Sequence, residues 1–238
     1  MDSIRDQKTG LSLSEQMLLL GLKDERGTPE SGSGMANLAF GGSVLGELLL
    51  LEAVRLVDAE GFLQAGQRVE ATGATVPSEP LRLALAEING AKPKSPAHWC
   101  GSLGRNKDVR EAVALNLCRR GVLRESEDML LGLFRRKAFP TVDPAPEQTL
   151  LADIEATLDG ADQVEPLLAL AITVAHQGGL LRLHFGYKAL RRWKQRIKDV
   201  ETQAAASDAA DAVASAVAAV QTAVIAATAA AAASAAAS

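Results

Sequence analysis

Along most of this chain apolar residues recur at helical rather than strand spacing, with glycine and proline between the runs. Residues 11–21, LSLSEQMLLLG, predict a helix capped by Ser12 or Ser14, with Glu15 in its first turn and Met17, Leu18 and Leu20 on its apolar face. Gly21 ends it or opens a strand-like stretch, and 23–34 reads as a Gly-, Ser- and Pro-rich loop. The next segment, 35–58, is MANLAFGGSVLGELLLLEAVRLVD. Its leucines are too dense for a surface helix, so a nearly all-buried central helix is expected, with a strand at 53–56. Residues 60–75 read as a short hairpin turning at 65–67. Leu81, Leu85 and Ile88 define an amphipathic helix over 80–89, and Pro93 to Pro96 then breaks the chain. A second amphipathic helix over 107–118 presents Val109, Val113, Leu115 and Leu117 inward and stops at Arg119, Arg120 and Gly121.

In 122–139, VLRESEDMLLGLFRRKAF, two apolar runs flank a polar stretch and predict a β-hairpin. Residues 140–146 form a linker, and 147–158, 163–177 and 180–203 read as three further helices. The last of these is basic, carrying Arg182, Lys188, Arg191, Arg192, Lys194, Arg196 and Lys198. Beyond 204 the chain is alanine-rich, with no charge after Asp211. Val213, Val217, Val220 and Val224 recur there at steps of four and three, a narrow seam suited to a helix packed on protein rather than spanning lipid. The final Ala-Ser run is expected to fray. The pattern predicts a mainly α chain, a single globular helical domain with a few short β-hairpins. Its expected divisions are a flexible N-terminus (1–10), the domain (11–203), and an alanine-rich C-terminal helix with a frayed tail (204–238).

Composition narrows the function classes. Aromatics are only 3% of 238 residues, so the core must be built of Leu, Val, Ile and Ala, which argues against an all-β fold. A formal net charge of −4 argues against a nucleic-acid binder, whose affinity rests on neutralising phosphates. Cys100 and Cys118 are too few for a disulfide scaffold or a zinc site and read as small buried hydrophobes in a reducing cytoplasm. Residues 1–10 are polar, unlike the apolar core of a signal peptide.

Motifs for catalysis fall short. Gly41-Gly42-Ser43-Val44-Leu45 approaches a nucleophile elbow, but Leu45 stands where the second glycine belongs. Gly32-Ser33-Gly34 completes neither a dinucleotide fingerprint nor a P-loop. His98, His176 and His184 share no metal-ligand spacing, and His176 in ALAITVAHQ reads as a core histidine. No catalytic residue, metal site or cofactor is therefore expected. What remains is Met129, Leu130, Leu131, Gly132, Leu133 and Phe134, followed directly by Arg135, Arg136 and Lys137. Apolar side chains rimmed by cations suit an interfacial membrane anchor. The pattern alone fits a buried strand ending in a solvated basic loop as well, and better.

Several of these segments resemble the Golgi phosphoprotein 3 family: LSLSEQMLLLGLKDERG (11–27), GSVLGELLL (42–50), DVREAVALNLCRRGVL (108–123) and PLLALAITVAH (166–176). Trp99 falls where the family has a tryptophan before its basic helix, and the likeness covers about 11–200, in the manner of a bacterial member. The resemblance implies a mostly helical domain acting as a peripheral membrane adaptor on the cytoplasmic face of a membrane (the Golgi in eukaryotes). It implies binding of phosphatidylinositol 4-phosphate, with Lys107 and Arg110 matching the basic pair that holds the lipid phosphate. It implies a membrane-inserting hairpin at Met129, Leu130, Leu131, Leu133 and Phe134. Partners would be an anionic, phosphoinositide-like membrane lipid and the cytoplasmic tails of membrane proteins; homo-oligomerisation stays open. The chain departs from the family where a tryptophan and an arginine complete the headgroup site, since Gly and Ser stand there, near Gly32 and Gly41. Arg105 is the candidate replacement cation, and a looser preference for anionic lipid is expected. The alternative is a soluble protein-interaction module of the same fold that has lost phosphoinositide specificity.

Overall fold

In a computed structural model the described residues are 5–6, 8–23, 28–29, 34–58, 67–130, 134–160, 164–206 and, in the tail, 221–222, 224–226, 229 and 233. They form a mainly α domain with short antiparallel ladders, as the pattern predicts. Helix α1 (Leu13–Leu20) starts at Ser12, not Ser14. The Ser12 hydroxyl accepts from the Glu15 backbone N–H, and the Glu15 carboxylate accepts from the Ser12 N–H at 3.0 Å, a reciprocal capping box. Every residue of α1 is buried, so the helix enters the core whole.

The expected loop at 23–34 contains a two-residue ladder of β1 (Leu22–Lys23) with β2 (Thr28–Pro29). Helix α2 (Gly34–Leu50) is the central helix, buried on all sides from Ala39 to Leu49. It ends earlier than its apolar run. The chain turns at Leu51–Ala53, with Glu52 at φ 54°, into β3 (Val54–Asp58). That strand pairs with β4 (Gln67–Ala71), from Val54↔Ala71 to Asp58↔Gln67. The hairpin predicted within 60–75 is therefore wrong in register: its first strand lies upstream, in what reads as the tail of the apolar run.

Helix α3 (Glu79–Asn89) buries Leu81, Leu85 and Ile88 as expected. Helix α4 (Pro96–Arg105) was not predicted, because Gly101 and Gly104 give PAHWCGSLGR poor helix propensity. Ser95 caps it through His98 N–H and Pro96 occupies its first turn. The glycines bring α4 onto α2 at backbone contact. A Cβ on Gly41 would fall inside the Cys100 carbonyl, and one on Gly104 inside the Asn37 carbonyl.

Helix α5 (Lys107–Arg119) turns Val109, Val113 and Leu117 inward, and Gly121 follows its end at φ 76°. Leu115 is half-buried, contrary to expectation, because its position points well away from Val109 and Val113. Cys118 is half-buried too, whereas Cys100 is fully buried and its thiol pushed up to about 12 by desolvation. After the hairpin of β5 (Ser126–Leu130) and β6 (Phe134–Ala138) come α6 (Ala145–Leu158), α7 (Pro166–Gln177) and α8 (Leu180–Ala206). The predicted helix over 180–203 is broken at Gly186, where φ 74° and ψ 170° belong to glycine alone. His176 is half-exposed, with Nδ1 3.1 Å from Glu201 Oε1, rather than a core residue. Helices α1, α3, α4 and α7 pack around α2. In the tail, Val224 is buried against Gly42, and Gln221 Nε2 donates to Thr173 Oγ1 at 3.1 Å. The expected protein-packed seam is met at Val224; its other three valines lie outside the described residues. No single helix among the described residues is long and apolar enough to cross a membrane.

Candidate lipid-contacting site

The N-terminus of α5 is built by Asn106. Its side-chain oxygen accepts from the N–H groups of Asp108 (3.0 Å) and Val109 (3.1 Å), while its Nδ2 donates to Glu87 Oε2 at 2.6 Å. This fixes the helix start against α3. Lys107, the first helical residue, is exposed. Arg110, one turn on, shares its face, yet its surroundings differ. Its Nη2 donates to Asn37 Oδ1 at 2.9 Å and to the Gly104 carbonyl at 2.8 Å, and its guanidinium lies 4.4 Å from the Phe40 ring centroid. Burial pushes its pKa below the ordinary arginine value. A guanidinium carries five N–H donors, and among the described residues Nη1 and Nε make no hydrogen bond. Arg110 thus joins α2, α4 and α5. Neither Asn37 nor Phe40 was identified from sequence, since nothing in their spacing from Arg110 signals a contact that only helix packing creates.

Arg105 is exposed at the end of α4, its guanidinium lying over Gly101. The arginine position near Gly41 has a steric explanation: the α2–α4 contact leaves no room for any side chain at Gly41. Gly32 lies outside the described residues.

The β5–β6 hairpin follows α5 directly. Leu130 pairs with Phe134, Met129 with Arg135 and Glu127 with Lys137; Leu131 and Leu133 lie outside the described residues. At the hairpin base Lys137 bonds both Glu111 on α5 and, at 3.2 Å, Glu125. The hairpin base is thereby tied to the residue after Arg110. Backbone bonds from Arg124 N to Pro140 O (3.1 Å) and Val142 N to Val122 O (2.9 Å) close it further.

The other sequence candidates stay apart. Ser43 is fully buried and its hydroxyl donates to the Phe40 carbonyl at 2.7 Å. His184 Nε2 lies 2.9 Å from the Leu20 carbonyl. No group of three or more His, Cys, Asp or Glu among the described residues is arranged to hold a metal ion.

The molecule is thus a helical domain that carries a hairpin with an apolar sequence at its paired ends beside a cationic helix start. The chain belongs to the Golgi phosphoprotein 3 (GPP34) family, whose sequence model matches residues 13–220. That span takes in every element from α1 to α8 and part of the tail. Comparison with curated proteins returns no match.

Proposed function

We propose that this protein is a non-catalytic peripheral membrane adaptor that binds anionic phospholipid. Lys107 and Arg110 contact the headgroup phosphate, while Met129, Leu130, Leu131, Leu133 and Phe134 enter the acyl boundary. The observation that carries this reading is the Lys137 bond to Glu111, which ties the hairpin base to α5 one residue beyond Arg110. A guanidinium fork matches a phosphate, and each cation near an anionic surface adds on the order of 1 kcal/mol. Family membership points to phosphatidylinositol 4-phosphate as the headgroup. The absence of space for a side chain at Gly41 favours a looser selection among anionic lipids. On this reading the protein works at the cytoplasmic face of a membrane, with cytoplasmic tails of membrane proteins as partners.

A second reading, a soluble protein-interaction module, draws support from α8. Leu183 and Tyr187 are 48% and 74% exposed there, among the exposed cations Arg182, Lys188 and Arg191. Vesicle flotation separates the two. The protein should float with vesicles containing phosphatidylinositol 4-phosphate or phosphatidylserine and not with phosphatidylcholine alone. Lys107→Glu and Leu131→Asp should each weaken flotation severalfold with unfolding temperatures near wild type. Absence of flotation on every anionic vesicle selects the second reading.

A further inference from the structure

Two to three turns along α5 from Lys107, about 9–14 Å away along the helix axis, a cavity opens between α1, α2, α3 and α5. Its volume is about 270 Å³, and Glu15, Glu47, Ser12, Ser14 and Asn116 line it beside an apolar wall that includes Leu81 and Val113. Glu15 is 1% exposed. Its Oε2 is fully engaged, accepting from Arg5 at 2.9 Å, Arg120 at 2.8 Å and the Ser12 N–H at 3.0 Å. Its Oε1 is equally buried and has no partner among the described residues. An unpartnered carboxylate oxygen held out of bulk water is costly, so a further donor is called for. Among the described residues, none of the other buried side-chain atoms without a partner belongs to a residue lining this cavity.

The cavity continues outward, through Arg5, Pro77, Ser78 and Asn116, into a shallower cleft with Arg82, Arg119 and Arg120. Arg82 donates from Nη2 to Glu79 at 3.2 Å and from Nη1 to the Pro77 carbonyl at 3.3 Å, while Arg119 uses only Nη1, on Asn116 Oδ1 at 2.6 Å; both are exposed, and each guanidinium carries more N–H groups than these bonds use. The mouth therefore gathers four arginines against the carboxylates of Glu15 and Glu79, which attracts an anion. The interior is slightly smaller than a drug-sized site, so the occupant is small.

We propose that this cleft binds a small polyol phosphate, with the phosphate on Arg82 and Arg119 at the mouth and a hydroxyl donating to Glu15 Oε1 inside. The site is separate from Lys107 and the hairpin and does not depend on the membrane reading. Its chemistry is met either by a free solute or by the headgroup of a lipid.

Calorimetry with glycerol phosphate, inorganic phosphate and glycerol as probes tests it. Glycerol phosphate should bind at least about tenfold more tightly than inorganic phosphate, a difference of about 1.4 kcal/mol, and glycerol alone should bind more weakly than either. Arg82→Ala/Arg119→Ala should weaken glycerol phosphate about tenfold or more, as should Ser78→Phe, which fills the mouth. Lys107→Glu/Leu131→Asp should leave it unchanged, so failure of the membrane reading is visible separately. Equal affinity for inorganic and glycerol phosphate marks an adventitious ion only and overturns the proposal. So does no binding at millimolar glycerol phosphate, or full binding by the folded double-arginine variant. The source of the ligand follows from phosphatidylglycerol vesicles. Flotation competed by glycerol phosphate and lost in the double-arginine variant supports the site with a lipid headgroup; flotation indifferent to both, with calorimetric binding intact, supports it with a free solute.

Discussion

Glu47 lies inside α2, 3% exposed, where the Ser14 N–H donates to its Oε1 at 2.5 Å. Burial pushes its carboxyl up from the ordinary 4.5; the Ser14 and Ser12 hydrogen bonds oppose that rise and the nearby Glu15 charge adds to it. The folded state therefore holds the proton more tightly than the unfolded chain. The stability this contributes is present below 4.5 and is lost as pH rises through the folded value. Gln in its place keeps an acceptor for Ser14 and cannot ionise. Urea unfolding from pH 4 to 8 should show Glu47→Gln gaining on wild type as pH rises, with a flatter profile. A Glu47→Gln profile parallel to wild type would mean that Glu47 titrates normally. Gly41 makes a different residue-scale case. Gly41→Ala should destabilise by about 1–3 kcal/mol in the same assay, because the methyl meets backbone rather than a movable side chain.

Helix α5 divides the two cations of its first turns between surface and interior. Lys107 is exposed, whereas Arg110 satisfies Asn37 Oδ1 and the Gly104 carbonyl. Removing the guanidinium leaves both acceptors without it, so Arg110→Ala should cost about 1–3 kcal/mol of stability, and Lys107→Ala close to none. Thermal melts of the pair measure this directly. A lipid-binding loss in Arg110→Ala alone would therefore mix two effects, which is why Lys107→Glu and Leu131→Asp are the cleaner probes of the membrane reading.

The tail contributes to the whole molecule. Val224 closes over Gly42, and Gln221 reaches Thr173 in the middle of α7. Ending the chain at residue 220 uncovers that face of α2. Burying a valine is worth about 1.5–3 kcal/mol, so the truncated protein should unfold earlier by about that much in urea. An unchanged midpoint would mean the tail contact adds nothing to the fold. Helix α8 is also tied to the end of α6, where Trp193 Nε1 donates to Asp159 Oδ1 at 2.7 Å, while the Trp193 ring packs edge-on against Phe185 on the other side of the Gly186 break.

Local patterns determined much of this protein by themselves. A serine cap at Ser12 or Ser14 with Glu15 in the first turn, the spacing of Leu81, Leu85 and Ile88, and the glycine stop at Gly121 were all legible, because each depends on residues within a turn or two; the structure chose Ser12 and closed the capping box. The hairpin of β5 and β6 and the cationic start of α5 were legible for the same reason, and the run of motifs carried the family. Tertiary structure decided the rest. The β3–β4 register, the existence of α4 and the burial of Arg110 depend on what approaches from elsewhere in the chain. Gly41 and Gly104 weaken a helix when read locally, yet they let α2 and α4 touch at backbone. That contact leaves no room for a side chain at Gly41 and brings Asn37 and Gly104 to Arg110. The opposing cleft was illegible in sequence as well. Arg5, Glu15, Glu47, Arg82 and Asn116 come from five separate stretches, and only packing around α2 leaves one carboxylate oxygen buried beside a cavity with no donor among the described residues.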